Sequence, residues 1–168
     1  MYKRQTYNII NDLSYGGFDF SIFFRGVVGN EVFNMLGRDI SGTGAWHNQS
    51  VDVIDRWTSS NTETEVPRSN GNDPNNNRRV STRYVEDGSY LRLQNLSLGY
   101  TVSDNLLNRY GIKNLRFYVS GQNLFTKTDY SGYDPEIGSF NQNPLINGVD
   151  NGRFPVARTI TCGLNLNF

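Results

Sequence analysis

Cysteine, histidine and charge of a single sign are all scarce in this chain of 168 residues. Cys162 and His47 are each the only one of their kind. A lone thiol builds neither a disulfide framework nor a cysteine metal centre. His47 has no neighbour at ligand spacing, so neither a metal site nor a catalytic base is expected there. Lys and Arg number 16, as do Asp and Glu, leaving zero formal charge. The arginines stand singly among acids, which gives no clustered basic face for nucleic acid. No serine sits in a G-x-S-x-G turn, and no constellation suggests a catalytic residue or a cofactor. No apolar run approaches the ~18 residues of a transmembrane helix, although a barrel strand needs only ~9–11. Met1–Gln5 is basic, but no apolar signal segment follows it. Residues 1–5 are set aside as a non-native leader, and 6–168 are read as one structural portion.

What is present is aromatic and alternating. Hydrophobic residues make up only 36%, yet aromatics reach 13%. That pairing argues against disorder, which lacks aromatics, and suits strands with one apolar and one wet face. Five segments show the pattern. The first is about Tyr7–Tyr15, followed by a Gly16-Gly17 hairpin turn. The second is Phe18 to about Val28, with Phe18, Phe20, Ile22 and Phe24 on one parity and Asp19, Ser21 and Arg25 on the other. The third, Tyr90–Val102, changes parity between Leu93 and Leu96, which predicts a bulge near Gln94-Asn95. In the fourth, Asn114–Phe125, Leu115, Phe117, Val119, Gly121 and Phe125 oppose Arg116, Tyr118, Ser120 and Gln122. The last puts Val156, Ile160, Cys162, Leu164, Leu166 and Phe168 on one face.

Connections alternate short and long. The first and third are brief, the third with room for a helical turn over Asn105–Tyr110; the second and fourth, about 29–89 and 126–153, far exceed ordinary loops. Inside the first long loop, Glu31–Leu36 and Ser50–Trp57 read as short helices, the latter with Val51, Ile54 and Trp57 at helical spacing. Short turns at one end and long loops at the other are the arrangement of bacterial outer-membrane barrels. The expected fold is all-β: an antiparallel up-and-down meander of about five strands, forming the C-terminal arc of a transmembrane barrel. Five strands cannot close such a barrel, whose smallest forms have eight. The chain is therefore expected to be a part of something larger, with its export signal upstream.

The segments YVEDGSYLRLQNLSLGYTV (Tyr84–Val102), FDFSIFFRGVVGNEVFN (Phe18–Asn34), LRFYVSGQNLFTKTDYSGYDPEI (Leu115–Ile137) and FPVARTITCGLNLNF (Phe154–Phe168) resemble the SusC/RagA family of TonB-linked outer-membrane transporters. The resemblance runs through nearly the whole chain in family order. It implies the last strands of a 22-stranded barrel in the outer membrane of a Gram-negative bacterium, with plug and TonB box elsewhere. It also implies nutrient import (an oligosaccharide, peptide or similar) with a SusD-type surface lipoprotein, energy delivered through TonB, and folding by the barrel assembly machinery.

Each candidate residue carries a plain reading beside the functional one. Outward aromatics such as Phe18, Phe20, Phe24 and Phe117 face lipid in a barrel, or fill the core of a soluble or surface-attached carbohydrate-binding β-sandwich, the rival fold. Tyr15, Tyr100 and Phe168 are expected at the periplasmic girdle, and Tyr90 and Phe125 at the outer one. Asp19, Arg25, Arg116 and Gln122 are expected to face the lumen or plug. Leu164, Leu166 and Phe168 resemble an assembly signal. Trp46, Trp57, Tyr130 and Tyr133 are candidate contacts to ligand or lid, with loop packing the weightier alternative. The runs Asn70–Asn77 and Asn147–Asp150 lack EF-hand spacing and read as solvated loops. Asn123 is placed to cap a loop backbone group.

Overall fold

A computed structural model describes residues 4–42, 48–103, 107, 111–140 and 143–168. In chain order the elements are β1 (Gln5–Tyr15), β2 (Phe18–Val28), β3 (Glu31–Asn34), α1 (Met35–Ile40), β4 (Val85–Asp87), β5 (Tyr90–Thr101), β6 (Asn114–Thr128), β7 (Ser139–Phe140), β8 (Asn143–Asn147), β9 (Val149–Asp150) and β10 (Thr159–Asn167). The chain divides into two compact units: 1–30, 89–129 and 155–168 form the first, 31–88 and 130–154 the second.

The first unit is one five-stranded sheet in the order β1-β2-β5-β6-β10. Every neighbouring pair is antiparallel, so the meander follows the sequence with the loop insertions left out. Gly16 and Gly17 have φ of 57° and 87°, the two left-handed positions that a two-residue hairpin turn requires. Register then sorts the side chains into two faces, because side-chain direction alternates with every residue. One row runs Tyr15–Phe18–Tyr100–Phe117–Leu164 across all five strands, and the next runs Leu13–Phe20–Leu98–Val119–Cys162. Phe18 and Tyr100 meet with ring centroids 4.5 Å apart.

The parity change in β5 is absorbed where it was expected. Phe23 pairs with Asn95 and Phe24 with Leu93, so Gln94 is the extra residue of a bulge. The bulge returns Leu91 and Leu93 to the face of Leu96, Leu98 and Tyr100. It also moves Tyr90 to the opposite face, where it is buried beneath the Arg92 guanidinium, 5.3 Å from the ring centroid. The girdle position expected for Tyr90 is therefore not the one observed. On the facing strand, Asn123 takes φ 53° and its Nδ2 donates to the Ala157 carbonyl at 3.2 Å, the backbone cap expected of it.

Several boundaries move. Gln5, set aside with the leader, is the first residue of β1, opposite Val28. β6 continues past Phe125 because Thr126, Lys127 and Thr128 find partners in Arg92, Leu91 and Tyr90. β10 begins at Thr159, which leaves Val156 ahead of it. The helical turn expected over Asn105–Tyr110 lies largely outside the described residues.

The second unit holds more strand than its sequence suggests. Residues Glu31–Asn34, expected as helix, pair with β4 on one side and in parallel with β9 on the other. Helix begins only at Met35, where the Asn34 side chain accepts from Gly37 N at 2.6 Å and caps the first turn. The Val51–Asp55 segment is a 3-10 helix rather than an α-helix. Its tighter pitch buries Val53, leaving Val51 and Ile54 at 75% and 76% exposure, so the face expected from α-spacing points outward instead.

Candidate functional site

The face opposite the apolar rows is where the expected lumen residues lie. Asp19, Arg25, Arg116 and Gln122 all project to it, from β2 and β6, on either side of β5. Two of them touch. Arg116 Nε and Nη2 donate to the two carboxylate oxygens of Asp19 at 3.1 and 2.5 Å. This bidentate pair passes directly over β5 at Gly99, and a Cβ there would collide with both the carboxylate and the guanidinium. Gly99 is thus a residue of the site that alternation alone does not reveal. Arg116 also lies against the Tyr118 ring, 5.5 Å from its centroid. Arg25 stands opposite Arg92, and Gln122 opposite Asn95. Ile10 and Phe23, paired with each other, and Val27, paired with Tyr90, are apolar or aromatic members of this largely polar face.

The apolar face remains open. Ile9, Leu13, Phe18, Leu98, Phe117, Phe125, Ile160, Leu164 and Leu166 are exposed large hydrophobic side chains, and all lie on it. Among the described residues of the first unit, every strand belongs to this one sheet. A sandwich would bury such a face against a second sheet. A contiguous apolar surface of this kind marks contact with a partner or a membrane.

In the second unit a groove of about 450 Å3 runs between α1, the 3-10 helix and the 131–133 turn. Its walls mix Leu36, Ile40 and Val53 with Asp52, Arg83 and Glu86. The polar wall is held by a closed set of hydrogen bonds. Asn34 Nδ2 donates to Glu86 Oε1 at 2.8 Å and to Ser131 Oγ at 3.1 Å. Ser131 gives its N–H to Glu86 Oε2 and its hydroxyl to Glu86 Oε1, both at 2.9 Å. Next to this set, Tyr130 OH donates to Asp150 Oδ2 at 2.6 Å, while Asp150 Oδ1 accepts from the N–H groups of Gly152 and Arg153. Burial, and then the bond to Asp150 and the nearby Glu86 charge, raise the Tyr130 phenol above the ordinary tyrosine range.

The four loop aromatics fare differently. Tyr133 lines the groove at its rim and is 67% exposed. Tyr130 is buried at 5% exposure, so it tethers the loop and presents no ring to a ligand. Trp57 does not line the groove; it is partly exposed, and its backbone N–H donates to the carbonyl of Val66, a residue of the groove wall. Trp46 lies outside the described residues, as does His47. Asn34 and Glu86 were not anticipated, Asn34 alone carrying a local signal at a helix start; Asp150, expected in a solvated loop over Asn147–Asp150, is instead buried at the end of β9. The Asn-rich run is more ordered than a solvated loop. Asp73 accepts from Asn77 N at 2.9 Å and Arg78 N at 3.2 Å, and these bonds, the Asn77 one foremost, lower its carboxyl below the usual range.

A two-faced antiparallel meander with an open apolar surface and a polar, ion-paired reverse defines a segment of β-barrel wall. No family model matches the chain. Related proteins and solved structures do. TonB-dependent receptor P3 of Formosa agariphila is 42% identical over 167 residues, covering 97% of this chain and 16% of the receptor. TonB-dependent receptor SusC of Bacteroides thetaiotaomicron is 28% identical over the full chain, again across 16% of its own length. The RagAB peptide importer in its open-open state superposes with a TM-score of 0.81 at 27% identity, over 97% of this chain and 17% of that one. The chain belongs to the TonB-dependent receptors of the SusC/RagA type, and it spans about a sixth of the length of the relatives it matches.

Proposed function

We propose that this chain is the C-terminal arc of an outer-membrane receptor that imports a nutrient, an oligosaccharide, a peptide or a similar molecule, with energy from TonB and a SusD-type lipoprotein at the surface. The relatives named SusC and RagAB support the class of activity. The observation that carries the role of this segment is the sorting of its five strands into an exposed apolar face and a polar reverse. From Leu115 to Phe125 the apolar set of β6 extends roughly 27 Å along the sheet, because the irregularity beside Asn123 takes up part of the strand. At a tilt of ~35–45° that is about 19–22 Å of height, close to a lipid-facing band of ~25 Å. The row Tyr15–Phe18–Tyr100–Phe117 then forms an aromatic girdle at the end carrying the tight turn.

In this reading the long connections 29–89 and 129–158 are extracellular. Tyr133 and Trp57 are available there to ligand or lid. Asp19, Arg25, Arg116 and Gln122 face the lumen or plug, and Leu164, Leu166 and Phe168 present the assembly signal of the last strand.

The test uses neighbouring residues of β10 in the full-length receptor. Cys162 pairs with Val119 on the apolar face and Thr161 with Ser120 on the polar one, both near mid-height. An arginine near the bilayer midplane costs ~2–4 kcal/mol on the lipid face. Cys162→Arg should sharply reduce heat-modifiable barrel in outer-membrane fractions, and Thr161→Arg should leave most of it. Equal yields would overturn the assignment of faces.

A further inference from the structure

The apolar face has a notch at mid-height. In the third row, Ile22–Leu96–Gly121–Ile160, the β6 position is a glycine, so the row lacks one side chain. Around it lies a hollow of about 290 Å3 walled by Phe20, Leu96, Leu98, Val119, Leu124 and Ile160, with almost no polar surface. Leu124 leans over Gly121 because the irregularity beside Asn123 turns it to this face; a Cβ on Gly121 would meet its methyls at 2.8 Å. Leu124 narrows the hollow without filling it.

Such a space has few possible contents. Its lining offers water almost no polar surface, and apolar cavities stay dry. Left empty, its walls would forfeit their dispersion contacts on one side. Its rim is continuous with the exposed rows of Leu98, Val119 and Ile160, the surface that faces hydrocarbon in the reading above. The chemistry that fits is a saturated alkyl chain lying along the strands.

We propose that the hollow at Gly121 is a seat for one phospholipid acyl chain, which holds that lipid against the barrel wall more tightly than the lipids around it. The proposal rests on the lipid-facing assignment of this sheet. It adds that contact is uneven: the girdle row is filled by aromatic rings, whereas this row is completed by the lipid.

The experiment is native mass spectrometry of the full-length receptor, purified in detergent and supplied with phosphatidylethanolamine. Leu98→Phe should fill the hollow and abolish the adduct carrying one bound phospholipid. Leu124→Ala should enlarge the hollow and retain that adduct. Heat-modifiable mobility of both variants establishes that the barrel has formed. A Leu98→Phe barrel that keeps the adduct at the wild-type level would refute the seat. So would a wild-type receptor with no adduct whose self-association is lost in Leu98→Phe, since a protein surface would then occupy the hollow. The arginine pair on β10 separates the two failures: unequal yields there with a persistent adduct here discard the seat alone, and equal yields discard the lipid-facing assignment itself.

Discussion

At the scale of single residues, the loop unit depends on buried polar pairs that strand periodicity cannot announce. Asp150 is 1% exposed and survives burial because three donors satisfy it, the Tyr130 hydroxyl and two backbone N–H groups. Removing that hydroxyl leaves one carboxylate oxygen without its donor, and a hydrogen bond to a charged group is worth ~1.5–3 kcal/mol. Tyr130→Phe should destabilise the unit by about that amount, read as faster amide exchange across 31–88 and 130–154. The pH dependence has a definite sign. An unfolded tyrosine loses its proton near about pH 10, whereas Tyr130 in the folded unit holds it further. Above about pH 10 the unfolded state therefore binds fewer protons, and the stabilisation, complete below that pH, declines as pH rises. Exchange in the wild-type loops should accelerate there more steeply than in Tyr130→Phe. Parallel alkaline slopes for the two proteins would contradict this account.

Among the elements, what the sequence made legible was whatever repeats every two residues. All five long strands and the bulge in β5 followed from alternation, because each strand's faces meet different surroundings, and the tight turn followed from its pair of glycines. The bulge was readable because Leu91 and Leu93 contradicted the parity of Leu96, Leu98 and Tyr100. The short strands were not. β3, β4 and β9 are two to four residues long, too brief to display a period. The parallel pairing of Phe33 with Val149 joins segments over a hundred positions apart, which no local pattern encodes. The same blindness applied to the candidate site. Tyr133 was named from its residue type, whereas Glu86 and Asn34 matter only because folding brings them to Ser131. The bulge also permits a direct test. Deleting Gln94 removes only the extra residue, so Leu93 and Leu91 should keep Phe24 and Gly26 as partners and stay on the apolar face. Heat-modifiable barrel from the deletion should then stay close to that of Gln94→Ala. A yield far below it would contradict the assignment of Gln94 as the extra residue.

On the scale of the whole molecule, the sheet has two outer strands, β1 and β10, each paired on one side only among the described residues. Unpaired edges are templates for further strands, and in lipid each unsatisfied backbone group costs several kcal/mol. Expressed by itself and refolded in detergent, this segment should associate through those edges. Light scattering after size exclusion would show oligomers, and a stable monomer would argue that the edges are protected within the segment. Inside the sheet, the Asp19–Arg116 bridge over Gly99 has a consequence for inheritance. Position 99 tolerates a side chain only where the bridge is absent, and the bridge forms only where position 99 is bare. Three sites separated by 80 and 17 positions in the chain are thereby bound into one evolutionary character. Receptors descended from a common ancestor should keep the acid, the glycine and the arginine together or exchange them together.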